Sequence, residues 1–167
     1  MIAHTPTALT LSLQTARVAA RPAILPPSEA APRFTVDGGR ELEAHLARTC
    51  AKIAAGVRGL VPRGRLEALL LGGGYGRGEG GVLTTAGGER AYNDLEFYVC
   101  IRGSRLLNER RFGRALHVLG EILTLQAGIE VEFKITSLRE LERADVSMFS
   151  YDLVSGHRWL IGEPGLL

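Results

Sequence analysis

Two acids, Asp94 and Glu96, stand two residues apart in the run Tyr92-Asn93-Asp94-Leu95-Glu96-Phe97-Tyr98-Val99. Side chains alternate faces along an extended strand. A strand over these residues therefore turns both carboxylates to one side and Leu95, Phe97 and Val99 to the other. Two carboxylates held so closely repel each other and need a compensating cation, and hard divalent metals take oxygen ligands of this kind. Upstream, Leu69-Leu70-Leu71 runs into Gly72-Gly73-Gly74-Tyr75-Gly76-Arg77-Gly78-Glu79-Gly80-Gly81. Glycine at that density implies backbone in conformations closed to other residues, or backbone that must approach something closely. A glycine turn able to hold phosphate, ahead of a strand with a metal-binding pair, suits the handling of a nucleoside triphosphate.

The glycines admit other readings. Gly76-x-Gly78-x-x-Gly81 matches a dinucleotide-binding fingerprint as text, but Val82 to Gly88 reads as a loop where that fingerprint needs a helix. No Gly-Lys-Ser/Thr follows, so the phosphate loop of the common NTPases is absent. A purely structural glycine hairpin is the plain alternative. Arg77 adds a functional sign, since a guanidinium set among glycines can reach a phosphate oxygen; Glu79 can instead pair with it. Tyr75 and Tyr92 suit packing as well as nucleobase contact.

These groups need a scaffold, and the periodicities supply one. Asp37 is placed to cap a helix over Arg40 to Val57, with Leu42, Leu46, Ile53 and Val57 on its apolar stripe. His45 lies beside that stripe and reads as a surface or partly buried residue. Gly59, Pro62 and Gly64 lead to a strand at Leu66 to Leu71. After the strand over Asp94 to Ile101, a helix from Asn108 to Ala127 carries Phe112, Leu116, Leu119 and Leu123, and Gly128 stops it. Ile129 to Ile135 alternates cleanly, with Glu130, Glu132 and Lys134 on the polar face. Ser137 and Glu140 make a capping box for the next helix. A further helix is expected around Ser147 to Val154 and a last strand at His157 to Ile161. The fold class is α/β (α+β): a mixed sheet of adjacent strands with helices packed on one face, and Leu95, Phe97, Val131 and Phe133 turned towards those helices.

At 167 residues the chain suits one domain with a proper core, and 46% hydrophobic with 23% charged residues is ordinary for a soluble globular protein. A formal net charge of +2 does not argue for a nucleic-acid binder. The basic residues are nearly all Arg, with Lys only at 52 and 134. Residues 1–33 form an Ala- and Pro-rich lead-in, expected to be loosely ordered with a short strand or helix near Leu9 to Val18; residues 34–167 form the folded domain. No secretory signal or membrane-spanning run is evident. Cys50 and Cys100 form no metal-type cluster, a reduced cytoplasm is the simpler reading, and a disulfide between them stays open.

The pattern resembles the DNA polymerase beta-like nucleotidyltransferase superfamily, particularly its small bacterial, minimal-nucleotidyltransferase members. Their signature is an apolar strand ending in Gly-Gly or Gly-Ser, a nearby Arg-Gly, and an acid-x-acid pair on the next strand. Here these are Gly73-Gly74, Arg77-Gly78 and Asp94-x-Glu96. Gly74 stands where many small members have Ser, although Gly-Gly occurs in related tRNA-end and poly(A)-type enzymes. The segment from Gly80 to Tyr92 is longer than usual. Tyr151 to Gly162 is similar to how such domains end, so the resemblance spans roughly Leu66 to Gly162.

What the resemblance implies is metal-dependent transfer of a nucleoside monophosphate from an NTP, ATP or another, to a hydroxyl acceptor, with pyrophosphate released. The superfamily uses a third carboxylate on a neighbouring strand. Glu130 and Glu132 are the candidates, and central placement selects Glu132; the plain reading is a solvated strand face with Lys134 beside them. Asp94, Glu96 and Glu132 would hold two Mg2+ ions, while Gly73, Gly74, Arg77 and Gly78 would bind the nucleotide. Neutral substitution of Asp94 or Glu96 should leave the metal-free protein as stable or slightly more so. Two alternatives stay open: an inactive nucleotide-binding regulatory or antitoxin-like module of the same fold, and a plain interaction domain. The acceptor is not readable. Superfamily enzymes often bind it with a further helical domain or protein, and the chain ends at Leu167, soon after the catalytic fold should close.

Overall fold

The computed structural model describes residues 32–143 and 156–162. The elements are α1 (Arg40–Leu60), β1 (Leu66–Leu71), α2 (Gly73–Arg77), β2 (Val82–Thr85), β3 (Gly88–Ala91), β4 (Leu95–Ile101), α3 (Arg105–Ala127), β5 (Val131–Thr136), α4 (Leu138–Arg143) and β6 (Arg158–Ile161). The segments expected near Leu9 to Val18 and Ser147 to Val154 lie outside the described residues.

Among the described residues, four strands form one mixed sheet in the order β5-β4-β1-β6. β1 is antiparallel to both its neighbours, and β4 runs parallel to β5, to which α3 connects it. The fold is α+β, with the three expected strands adjacent. The central pair, β1 and β4, reads as near-continuous apolar sequence because both faces are covered. Leu69, Leu71, Leu95, Phe97, Val99, Ile101, Val131 and Ile135 meet α1 and α3 through Leu46, Ile53, Val57, Phe112 and Leu116. Phe133 packs on the same core, its ring centroid 5.8 Å from that of Phe97. On the other face, Ala68, Leu70, Tyr98 and Cys100 are buried with Leu138, Leu141 and Trp159 around them. Two helices thus share one face as expected, and α4 covers part of the opposite one.

Three local readings are corrected. Asp37 does not cap α1. Its N-cap is Gly39, and the order there comes from Glu43, whose carboxylate accepts from the N–H groups of Phe34 (2.9 Å) and Thr35 (3.0 Å) and from the Thr35 hydroxyl (2.5 Å). The stretch Val82 to Gly88 is not a loop: β2 and β3 form a hairpin that closes through Ala86-Gly87, with Thr85 paired to Gly88. Its strands are largely exposed, so no apolar alternation marked them. Finally, Gly73 to Arg77 is a short helix, not a turn. Gly76 is required there because a Cβ would stand 2.2 Å from the Leu71 carbonyl oxygen, where α2 presses on the end of β1.

Three smaller readings are settled as well. Gly128 ends α3 in the left-handed conformation (φ 67), and His45 Nε2 lies 2.8 Å from the Ala127 carbonyl oxygen, tying the two long helices together. Cys50 and Cys100 are free and buried in opposite cores of the sheet, which leaves no bridge between them. Burial pushes both thiols up to about 12.

Candidate active site

Tyr75 organises the site, a role its sequence context did not separate from simple packing. The ring is buried under the glycine segment, and a Cβ on Gly80 would stand 2.0 Å from its Cδ1. Its hydroxyl donates to the Gly81 carbonyl (2.7 Å) and accepts from the N–H groups of Tyr92 (3.0 Å) and Asn93 (3.3 Å). One phenol therefore fixes both ends of the β2–β3 excursion and sets the approach to Asp94. The glycine segment is also anchored elsewhere: Gly80 donates to the Phe34 carbonyl (2.9 Å), and Gly72 donates to the Glu96 carbonyl (2.9 Å).

Asp94 lies just ahead of β4, exposed, instead of within the strand as expected. Residues 92 and 93 bond to Tyr75 and Gly81, and sheet pairing starts only at Leu95, whose N–H donates to the Glu130 carbonyl (2.8 Å). Glu96 is in the strand and half-buried. A Cβ on Gly73 would lie 3.8 Å from Glu96 Oε2, so this carboxylate stands against the start of α2.

Gly73, Gly74, Asp94 and Glu96 come together along one cleft of about 160 Å³, which Tyr75, Glu79 and Asn93 also border. Arg77 and Gly78 do not border it. Arg77 Nε donates to Glu79 (2.9 Å), and its stem lies against Gly156, where a Cβ would stand 2.2 Å from Arg77 Cγ. Glu132 is the direct partner of Glu96 in the parallel β4–β5 register. It borders a different space, a groove of about 970 Å³ between α3 and β5 that Glu130 also lines. Glu130 precedes β5 and is exposed.

The residue underrated by sequence reasoning is Lys134. It pairs with Tyr98 in the same register, yet its ammonium donates to Glu96 and lies 3.6 Å from Glu132. Burial works to lower the Lys134 pKa. The hydrogen bond and charge of Glu96, then the charge of Glu132, outweigh it and hold the ammonium above its ordinary range. The alternation of Ile129 to Ile135 did put Lys134 on the face of Glu132; what it could not supply was the β4 partner.

The donor set next to the glycines is all oxygen, the kind that Mg2+ takes. Asp94 and Glu96 bring such oxygens to one cleft, while the Lys134 ammonium is drawn to Glu96 and Glu132. Among the described residues, no group of three or more His, Cys, Asp or Glu side chains stands close enough to hold a metal. No helix among the described residues is long and apolar enough to cross a membrane. No protein-family model matches the chain, and no curated protein matches its sequence significantly.

Proposed function

We propose that this chain is a metal-dependent nucleotidyltransferase that moves a nucleoside monophosphate from ATP or another NTP to a hydroxyl acceptor, releasing pyrophosphate. The observation that carries the reading is the single cleft shared by Gly73, Gly74, Asp94 and Glu96. Asp94 and Glu96 would hold the metal, with Glu132 joining from the neighbouring strand. When bound, Mg2+ would neutralise the triphosphate and acidify the attacking hydroxyl. The glycine backbone of α2 would border the phosphates, and Tyr75 would keep that backbone and Asp94 at fixed separation. Arg77, held by Glu79, would reach phosphate only by leaving that pair. Positioning and charge neutralisation carry most of such a transfer. A helical partner domain or protein would present the acceptor, and two buried, protonated thiols suit a reducing cytoplasm.

One observation favours a second reading, a nucleotide-binding module of the same architecture without turnover: the Lys134 ammonium already neutralises Glu96. Titration of each NTP with and without Mg2+, alongside pyrophosphate release, separates the possibilities. Metal-dependent binding with release supports the transferase, and metal-dependent binding without release supports the silent module. Binding of equal strength in EDTA, or none at all, removes both.

A further inference from the structure

We propose that Lys134 is the resident counter-ion of the carboxylate site, and that a divalent metal binds only by displacing its ammonium from Glu96. The inference rests on the nucleotidyltransferase reading for the metal, and on geometry for the competition.

Glu96 and Glu132 are directly opposed across β4 and β5, an arrangement in which like charges repel. The repulsion is answered from within the sheet. Lys134 lies two residues beyond Glu132 on the same face, an offset of about 7 Å along the strand. Its four-carbon stem reaches back over that distance, instead of running out to water, and delivers the ammonium to both acids. The buried Tyr98 ring, with its centroid 5.9 Å from Nζ, lies on the same side. An ammonium is a compact point charge with three donors, so one group can serve two carboxylates.

A divalent cation would need those same oxygens at bonding distance. The ammonium holds Oε1 of Glu96 while Oε2 stands against the start of α2, so a metal that takes both oxygens must displace the ammonium, whose like charge also opposes it. Lys134 therefore sets the threshold metal concentration for the site. It also offsets one of the two carboxylate charges when metal is scarce.

The native protein offers a direct test, since Lys52 and Lys134 are its only lysines and Lys52 is exposed on α1. Acetylation with a limiting amine reagent, read by mass spectrometry, is followed with and without Mn2+, while electron paramagnetic resonance counts bound Mn2+. Displacement predicts that saturating Mn2+ speeds Lys134 labelling several-fold and leaves Lys52 unchanged. Lys134→Met, which keeps the stem and drops the charge, should bind Mn2+ about tenfold more tightly, equivalent to about 1.4 kcal/mol. Lys134→Gln serves in its place if Lys134→Met fails to fold.

Bound Mn2+ with unchanged or slowed Lys134 labelling overturns the displacement and leaves the metal reading standing. Equal or weaker Mn2+ affinity in the charge-free variant does the same. If neither the native protein nor the variant binds Mn2+, the metal reading itself fails and takes this inference with it.

Discussion

Gly76→Ala should unfold the protein more easily, although the same change in a free helix would favour folding. Alanine exceeds glycine by about 1 kcal/mol in helix propensity. The opposing cost comes from position. A Cβ at 76 would lie 2.2 Å from the Leu71 oxygen and 2.9 Å from its carbonyl carbon, both backbone atoms of a buried strand. No side-chain rotation relieves such a contact, so α2 must lift from β1 by about 1 Å, straining the Gly72 to Glu96 hydrogen bond. Overpacking of this kind costs about 1–3 kcal/mol and a weakened buried hydrogen bond about 1 kcal/mol more. The net expectation is about 2 kcal/mol of destabilisation. Gly59→Ala is the internal control: it lies in α1, nothing stands within 4 Å of its Cβ position, and it should stabilise by about 0.5 kcal/mol. Urea unfolding followed through the sole tryptophan, Trp159, measures both. At an m-value of about 1.5 kcal/mol/M, the two midpoints should differ by more than about 1 M. If Gly76→Ala is as stable as Gly59→Ala, close packing does not explain the glycine, and the assignment of α2 against β1 is wrong.

Asp94→Asn and Glu96→Gln should both abolish metal-dependent pyrophosphate release, yet their stabilities should part. Asp94→Asn leaves the melting temperature unchanged because the carboxylate is exposed, whereas Glu96→Gln takes from Lys134 its hydrogen-bonded carboxylate and should cost about 1 kcal/mol, revising the relief of repulsion expected from the acid spacing alone. Glu132→Gln should cost far more activity than Glu130→Gln, as only Glu132 stands opposite Glu96; the reverse order would move the third ligand to the start of β5. Burial works to raise the Glu43 pKa, but hydrogen bonds from Thr35 and Phe34 and the charge of Arg33 outweigh it and hold it below the usual range. Its stabilisation is therefore full above the unfolded glutamate pKa of about 4.3 and is lost as pH falls through the lower folded value. Glu43→Gln should cost about 1–2 kcal/mol at pH 7, with the gap to the native protein closing in acid melts; a gap that stays constant to the acid limit would refute the anchoring role. Both thiols should resist a disulfide reagent at pH 8 in the native protein and react once it is denatured, while rapid reaction of either would contradict its burial.

What the sequence determined by itself is the set of elements whose own residues carry the signal. The apolar run of β1 is legible because a central strand is covered on both faces. The alternation of β5 and the stripe and glycine stop of α3 are legible because one face of each is wet. The acid pair and the glycine cluster were visible as types and spacing. Tertiary structure decided how those types are used, since each decisive partner lies far along the chain. Glu43 organises residues 34 and 35 in place of Asp37 because two free N–H groups and a hydroxyl converge on its carboxylate. The glycine run continues as α2, and Gly76 lets it press on the end of β1 where a Cβ would stand 2.2 Å from the Leu71 oxygen. The β2–β3 hairpin forms where an exposed ribbon leaves no apolar alternation to read, and the hydroxyl of Tyr75 gathers its two ends. Lys134 reaches a carboxylate 38 residues away only because β4 and β5 run parallel in a register that sets Glu96 opposite Glu132. A one-residue slip would turn that lysine to the other face, and only the packed sheet fixes the register.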